Sequence, residues 1–373
     1  MGRSKLLSAL LMVTLTASVG AQSATSAEAI ALEQQGRLPE AEQAWDAITA
    51  SHPRDAAAFA SLGIVRAKEQ KYPEAVEAYR KALALDPHLH GVELDLGLAE
   101  FKQGHLPEAI GPLGAALAAD PASAQVHTLL AMSYFGSAQF AKAVPHLQFA
   151  VAKSPQNAEL RGVLAQACLY AKEFACTLEQ YKAIVAANPD SAQADMLAGE
   201  ALDGLNRTDE AVAEFEAAEK VAPHEPNVHF GLGYLLWKQH KYPQAEVEFS
   251  QELTDEPHHA QALAYLGDAE LKQEKTAEAQ AALEQAVAVP GALRMAWVDL
   301  GIVLAGEGKN GEAAEDFRRA IAMDPKQVDA HWRLARLYQA EGKTAEARAE
   351  FATAAALHQK DDESLVQEMS PPK

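Results

Sequence analysis

Apolar residues recur three and four positions apart along most of the chain, while alternating runs of β-branched residues are almost absent. This spacing predicts amphipathic helices, because residues i, i+3 and i+4 lie on one face of an α-helix. Prolines punctuate the pattern at 53, 87, 121, 155, 189, 223 and 257, each 34 residues after the last. Pro290 comes one residue early, and Pro325 restores the spacing. The pattern predicts an all-helical chain built from a repeated pair of helices.

Aligned on these prolines, the sequence divides into ten repeats without insertion or deletion, which start at 22, 56, 90, 124, 158, 192, 226, 260, 294 and 328. The eighth residue of each repeat is Gly or Ala, and the twenty-fourth is bulky. We expect the small residue to let the two helices approach closely and the bulky one to fill the space beside them. Proline at the eighteenth position, as at Pro39 and Pro73, suits the first turn of the second helix, where its missing N–H costs nothing.

The residues that recur at these positions resemble those of the tetratricopeptide repeat. The stretch LGIVRAKEQKYPEAVEAYRKALALDP, from Leu62 to Pro87, matches it almost position for position, and the resemblance covers residues 22–361. It implies an all-α fold, an α-solenoid in which antiparallel helix pairs stack into a right-handed superhelix. It also implies that the first helix of each repeat lines a concave groove. Residues 362–373 are expected to form a short capping helix followed by a disordered end.

The resemblance assigns six positions of each first helix to the concave surface, and from the third to the eighth repeat these positions are strongly apolar. The predicted peptide-binding residues there are Leu98, Phe101, Met132, Phe135, Tyr170, Phe230, Tyr234, Trp237 and Tyr265. Phe230, Tyr234 and Trp237 share one helical stripe, because they lie four and three residues apart. Packing between neighbouring helices is the alternative, which we favour for Leu and Val. For the aromatic residues we expect exposure in the groove, as anchors for a bound peptide.

The last repeat carries an isolated basic spot formed by Trp332, Arg333 and Arg336. It is a candidate site for an acidic group, and an ion pair between Arg333 and Asp329 is the alternative. Related proteins that grip a terminal carboxylate use a set of Lys, Asn and Arg spread over three adjacent repeats. No three adjacent repeats here supply that set, so we expect no clamp for a chaperone tail.

The first 21 residues have the pattern of a signal peptide. Arg3 and Lys5 precede an apolar run from Leu6 to Ala17, and small residues end at Ala21. Because residues 6–21 fall short of the roughly 20 needed to span a bilayer, we favour a cleaved signal peptide over a retained anchor. The mature chain is then expected to be exported, periplasmic or secreted, without stable membrane insertion.

The chain is strongly acidic, with 32 Lys and Arg against 52 Asp and Glu and a net charge of −20. Such a surface repels nucleic acid, whose recognition depends on neutralising phosphates. If partners are charged, basic proteins or cations fit best; a well-solvated helical surface is the alternative.

Cys168 and Cys176 are the two cysteines, one on each predicted helix of the fifth repeat. A disulfide suits an oxidising compartment. Two buried thiols are the alternative, because the helices fix the separation of the two Cα atoms, and that separation can exceed the limit for a disulfide. Glu252 takes a position where seven repeats have Ala, and we expect it either to reach solvent or to weaken the junction with the next repeat.

We find no catalytic motif, and the 13 histidines lie mostly at loop and surface positions, which does not favour a metal site. The sequence therefore predicts a non-catalytic, exported scaffold that binds protein or peptide segments in an apolar concave groove, without a cofactor. Similar exported bacterial repeat proteins serve envelope assembly, secretion or polysaccharide-export complexes, and such a role here is an analogy. The alternative is a structural homo-oligomer that assembles through its grooves or array ends.

Overall fold

The computed structural model describes residues 25–369, with side chains through residue 359. The predicted signal peptide at 1–21 and the last four residues of the tail lie outside this range. Within it all regular structure is helical, and no helix there is long and apolar enough to cross a membrane. The chain divides into two compact units, one ending at Lys153 and the other beginning at Ser154.

The N-terminal unit contains eight helices in four pairs. They are α1 (Ser26–Gln34), α2 (Leu38–Ser51), α3 (Ala56–Lys68), α4 (Tyr72–Leu85), α5 (Val92–Lys102), α6 (Leu106–Ala119), α7 (Ala124–Gly136) and α8 (Phe140–Lys153). Each helix packs on the next one along the chain, so the pairs stack in sequence order.

The C-terminal unit contains twelve helices in six pairs. They are α9 (Ala158–Tyr170), α10 (Phe174–Ala187), α11 (Ala192–Gly204), α12 (Thr208–Val221), α13 (Val228–Lys238), α14 (Tyr242–Asp255), α15 (Ala260–Lys272), α16 (Thr276–Ala288), α17 (Arg294–Gly306), α18 (Asn310–Met323), α19 (Val328–Ala340) and α20 (Thr344–Met369). The same stacking recurs, and successive first helices such as α9, α11 and α13 also touch one another. The predicted all-α solenoid of stacked helix pairs is confirmed.

Each pair is held together by the small and bulky residues that the sequence singled out. A Cβ atom added to Gly63 would lie 2.5 Å from the ring of Tyr79, and one added to Gly301 would lie 2.6 Å from the ring of Phe317. Both rings are fully buried. Because no side chain larger than hydrogen fits at these two points, the glycines fix how closely the helices pack.

The turn inside every pair has the same backbone conformation. Its fifteenth repeat residue has a positive φ in all ten described pairs, at Gly36, Gln70, Gly104, Ala138, Lys172, Asn206, His240, Glu274, Gly308 and Gly342. The next residue donates its N–H to the carbonyl five residues back, as in Lys71 to Arg66 at 2.9 Å. This is the Schellman arrangement, which satisfies the last carbonyls of the first helix and reverses the chain.

The described tail does not form a separate cap. Residues 362–369 continue α20 without a break, so the helix runs from Thr344 to Met369. The expected short capping helix is therefore an extension of the last second helix.

Candidate functional site

The start of α13 is set by a buried carboxylate. Glu252, on α14, is 4% exposed, and its two oxygens accept hydrogen bonds from the backbone N–H groups of Asn227, at 3.3 Å, and Phe230, at 3.0 Å. Asn227 has a left-handed φ of 67°, and α13 begins after it. A negative charge at a helix N-terminus meets both the unpaired N–H groups and the helix dipole. Glu252 is thus buried and hydrogen-bonded within its own repeat, so the expectation that it reaches solvent is wrong.

Four aromatic residues of α13 and α15 form an aromatic cluster, consisting of Phe230, Tyr234, Trp237 and Tyr265. The ring centroids of Tyr234 and Trp237 both lie close to that of Tyr265, at 5.4 and 5.0 Å, in edge-on contact. The Trp237 indole N–H donates to Asp268 at 2.7 Å. All four residues are half-buried, and Phe230, Trp237 and Tyr265 pack against the local core. The predicted stripe exists, but one flank of it packs between neighbouring helices.

The other flank borders a groove of about 630 Å³ that crosses α9, α11 and α13. We call it the α9–α13 groove. Its apolar wall includes Leu169, Tyr170, Met196, Phe230 and Tyr234. The Tyr170 side chain is 54% exposed, which makes it the most accessible aromatic residue of the wall. An open apolar channel with an exposed tyrosine is the kind of surface that binds an extended or helical segment.

Charged residues line one edge of the groove. Glu200 and Asp203 contribute carboxylates, and Lys172 lies at the turn after α9. Asp203 is paired with Lys238 at 2.5 Å, which leaves Glu200 as the groove's less neutralised acid. Glu200 keeps contact with solvent, yet the surrounding groove walls desolvate its carboxyl and raise its pKa. A cationic group on a bound segment would favour the ionised carboxylate and so offset the cost of this desolvation.

A disulfide supports the α9 side of the groove. Cys168 and Cys176 are bonded, with their Cα atoms 5.8 Å apart. Cys168 precedes the wall residues Leu169 and Tyr170, and Cys176 lies in the first turn of α10. The bond therefore fixes the end of α9 against its partner helix.

Not every predicted residue lies in this groove. Trp237 and Tyr265 are absent from its wall. Leu98, Phe101, Met132 and Phe135 belong to the N-terminal unit, where they are half-buried and Phe101 packs on the local core. These four do not line the cavity of about 370 Å³ that is formed by the start of α5, the end of α6 and the start of α7.

The basic spot of the last pair forms a second, smaller depression of about 320 Å³ against α17. The guanidinium of Arg336 lies 4.9 Å from the Trp332 ring centroid, and that of Arg333 lies 5.8 Å from it. Asp329 forms its ion pair with Arg294, through two contacts of 2.8 Å, and not with Arg333 as the alternative supposed. The two stacked arginines remain directed at one exposed tryptophan.

Sequence reasoning missed the groove carboxylates. Glu200 and Asp203 occupy the ninth and twelfth positions of their repeat, two of the columns assigned to the concave face. They differ from the apolar side chains that we expected at these positions. Tyr234 and Trp237 hold the same two positions of their own repeat, so the position alone could have identified both carboxylates.

Two family models, both described as tetratricopeptide repeat, match the chain. One matches residues 66–132, 134–200 and 304–367, and the other matches residues 26–90, 178–226 and 230–293. Together they cover most of the described chain. No curated protein sequence matches it.

Solved structures share the fold at low sequence identity. The pilF protein of Pseudomonas aeruginosa is 18% identical, with 60% of this chain and 98% of that one covered and a TM-score of 0.50. A tetratricopeptide repeat protein from Parabacteroides merdae is 15% identical, with 67% of this chain and 98% of that one covered and a TM-score of 0.48. At such identities the likeness concerns the fold alone.

Proposed function

The chain belongs to the tetratricopeptide repeat proteins, and from this premise we propose that it is a non-catalytic, exported scaffold that binds a segment of a partner protein in the α9–α13 groove. Tetratricopeptide repeats generally serve protein–protein interaction. The observation that carries the assignment to this groove is its wall, in which Tyr170 is 54% exposed beside Met196 and Phe230. Exposed aromatic side chains in a concave channel are frequent anchors of binding energy.

The groove's charges specify the chemistry of the bound segment. Its apolar wall suits large apolar side chains, while Glu200 at the edge suits a Lys or Arg, since Asp203 is already paired with Lys238. The net charge of −20 for the whole chain acts in the same direction, since it attracts basic partners and speeds their encounter. We therefore propose a partner segment that is amphipathic and basic.

Export rests on the first 21 residues, whose basic start, apolar run and small end residues have the form of a signal peptide. The partner would then be a periplasmic or secreted component, such as a member of an envelope assembly, secretion or polysaccharide-export complex. The disulfide between Cys168 and Cys176 is compatible with such an oxidising compartment.

The test is a capture experiment with purified residues 22–373 as bait in an envelope extract of the source organism. The informative variant is Tyr170→Glu, which removes the exposed aromatic ring of the wall and replaces it by a polar, charged group. The matched control is Val247→Glu, because Val247 is 63% exposed on α14 and lies outside the groove wall. Circular dichroism checks that both variants keep the parent's helicity.

We expect the parent and Val247→Glu to retain the same protein and Tyr170→Glu to lose it. Retention by all three baits would show that binding uses another surface and would refute the groove assignment. Light scattering of the purified parent distinguishes the other candidate: a concentration-dependent oligomer that Tyr170→Glu dissolves would show that the groove binds a second copy of the chain.

A further inference from the structure

Two arginines of the last helix pair have no anionic partner in the part of the chain that the structure describes. Arg333 and Arg336 are exposed on α19, and neither forms a hydrogen bond or an ion pair with another described residue. The other arginines of the described first helices, Arg66, Arg161 and Arg294, each donate to a side chain of another helix at 2.8–3.0 Å. Among these helices, α19 alone therefore presents arginines that are available to a ligand.

Trp332 holds both guanidinium groups in place. This residue is 40% exposed, and the guanidinium carbons of Arg336 and Arg333 lie 4.9 and 5.8 Å from its ring centroid. Stacking on a ring uses the face of a guanidinium and leaves the N–H groups at its edge for a carboxylate. Because the stacked side chains have already lost part of their freedom, an ion pair with them costs less entropy.

The nearby carboxylates do not neutralise the basic spot. Asp329 accepts two hydrogen bonds of 2.8 Å from Arg294. Asp299 is the acid on which the charge of Arg333 acts, but burial, followed by the charge of Asp268, raises its pKa to about 7, so near neutral pH it is only partly ionised. Among the described residues that line the adjoining depression there is no Asp or Glu. An incoming carboxylate would thus meet a local excess of positive charge.

The depression beside the arginines arises where two side chains are small. In the fifth repeat, Phe174 begins α10 and covers the end of α11, so that a Cβ added to Gly204 would overlap its ring. Asn310 and Ala340 hold the same two positions where the last two repeats meet, and both line the depression. Because Asn310 is shorter than a phenylalanine, the space that the ring of Phe174 fills stays open here.

The walls of this depression are mostly apolar. Its volume is about 320 Å³, and Ile302, Ala305 and Leu337 line it together with the two arginines. Ligand pockets have volumes of about 300–1,000 Å³, so this one has room for one or two side chains and not for a longer segment. An apolar recess beside two guanidinium groups matches a large apolar side chain that adjoins an anionic one.

We propose that the basic spot and its depression bind an acidic segment of a partner protein, in which one Asp or Glu pairs with Arg333 and Arg336 and a neighbouring apolar side chain enters the recess. The site goes beyond the proposed function and does not depend on it, because it lies on α17 and α19 and selects the opposite charge from the α9–α13 groove. It also differs from the Lys, Asn and Arg set of three adjacent repeats, since both cations lie on one helix. A long polyanion is a poorer ligand, because the chain as a whole has a net charge of −20 and repels it.

The test uses residues 22–373 and two blocked peptides, acetyl-Leu-Glu-Phe-Glu-amide and its neutral counterpart acetyl-Leu-Gln-Phe-Gln-amide. Calorimetry at low ionic strength measures their binding, because salt screens exposed charges. We expect one equivalent of the acidic peptide to bind, at least about tenfold more tightly than the neutral peptide, because hydrogen bonds between ionised groups are about twice as strong as neutral ones. Sodium sulfate, titrated in place of the peptide, distinguishes a site that takes any small anion.

The variants Arg333→Gln and Arg336→Gln each remove one cation, and we expect the affinity for the acidic peptide to fall by about threefold to tenfold in each. Asn310→Leu fills the recess and keeps both cations, and we expect a loss of similar size. The matched control is Arg319→Gln, because Arg319 is stacked on Trp297 at 4.5 Å and does not line the depression. This control should bind the acidic peptide like the parent. Circular dichroism checks that all variants keep the parent's helicity.

Three results would overturn the proposal. One is a parent that does not bind the acidic peptide or binds both peptides equally. Another is unchanged affinity in Arg333→Gln and Arg336→Gln, or in Asn310→Leu, because the argument requires both the cations and the recess. The third is sulfate binding as tight as that of the acidic peptide, which would show a site for small anions in place of a site for a protein segment.

Discussion

For the substitution Glu252→Ala, the consensus of the repeats and the structure predict opposite changes in stability. Seven other repeats hold Ala at this position, and consensus substitutions commonly stabilise a protein. The structure predicts the opposite effect. The substitution would leave the N–H groups of Asn227 and Phe230 without their acceptor and would remove a negative charge from the N-terminus of α13.

The magnitude follows from those contacts. Each hydrogen bond from a backbone N–H to this carboxylate contributes about 1–2 kcal/mol, and the helix dipole adds about 0.5 kcal/mol. We therefore expect Glu252→Ala to destabilise the packing of α13 on α14 by about 2.5–4.5 kcal/mol. Glu252→Gln keeps one acceptor oxygen and the side-chain volume, so we expect it to lose about half as much.

The assay must report locally, because a repeat array opens in parts rather than as one cooperative body. Hydrogen exchange of the backbone amides of α13, followed by mass spectrometry, measures the local opening free energy. We expect faster exchange in α13 and at its contacts with α14, while α19 is unchanged. The control is Glu179→Ala, which removes an exposed glutamate from α10 and should change exchange by less than about 0.5 kcal/mol. Unchanged or slower exchange of α13 in Glu252→Ala would refute the assigned role of this carboxylate.

Three further predictions concern packing, pH and the disulfide. Gly231→Ala should destabilise the protein by about 1–3 kcal/mol, because the added Cβ would lie 2.1 Å from the Phe215 ring. Gly162→Ala in α9 should instead stabilise it by up to about 1 kcal/mol, because the added Cβ would meet nothing within 4 Å. Chemical denaturation of both variants measures the two changes in unfolding free energy. Burial, and then the charge of Asp268, raises the pKa of Asp299 to about 7, so between about pH 4 and 7 the folded state holds a proton that the unfolded chain releases, and stability falls as pH rises through this window. Asp299→Asn should therefore raise the melting temperature more at about pH 8 than at about pH 5, and an equal effect at both would contradict the assignment. Reducing the disulfide between α9 and α10 should cost at most about 2–3 kcal/mol, since it closes a short loop, and exchange should accelerate first in α9.

The repeated features of the fold were predictable because each of the ten copies must satisfy the same packing of two helices. Ten aligned copies show that the eighth position must be small and the twenty-fourth bulky, and the fit of Gly63 against Tyr79 confirms it. Helix starts at the eighteenth-position prolines follow for the same reason, as at Pro39 and Pro73 in the first turns of α2 and α4.

What one repeat does differently could not be predicted in this way. Glu252 and the left-handed Asn227 both depart from the repeat pattern, and the carboxylate of the first accepts a hydrogen bond from the N–H of the second, 25 residues away. Neither departure predicts this contact by itself. The same holds for the candidate site. Sequence columns found Phe230 and Tyr234, but only the position of Tyr265 on the next first helix shows which of their flanks is buried.

The turns within the helix pairs have a consequence for where backbone strain lies in the C-terminal unit. In the C-terminal unit the first four turns place the side-chain-bearing residues Lys172, Asn206, His240 and Glu274 in the left-handed region, while the last two use glycine. A residue that carries a side chain, other than Asn, pays about 1–2 kcal/mol there. The turns at Lys172, His240 and Glu274 therefore hold backbone strain that the turns at Asn206, Gly308 and Gly342 do not. The common turn geometry of the repeats is thus kept at three positions by the packing of the helix pairs, against the local preference of the residue that adopts it.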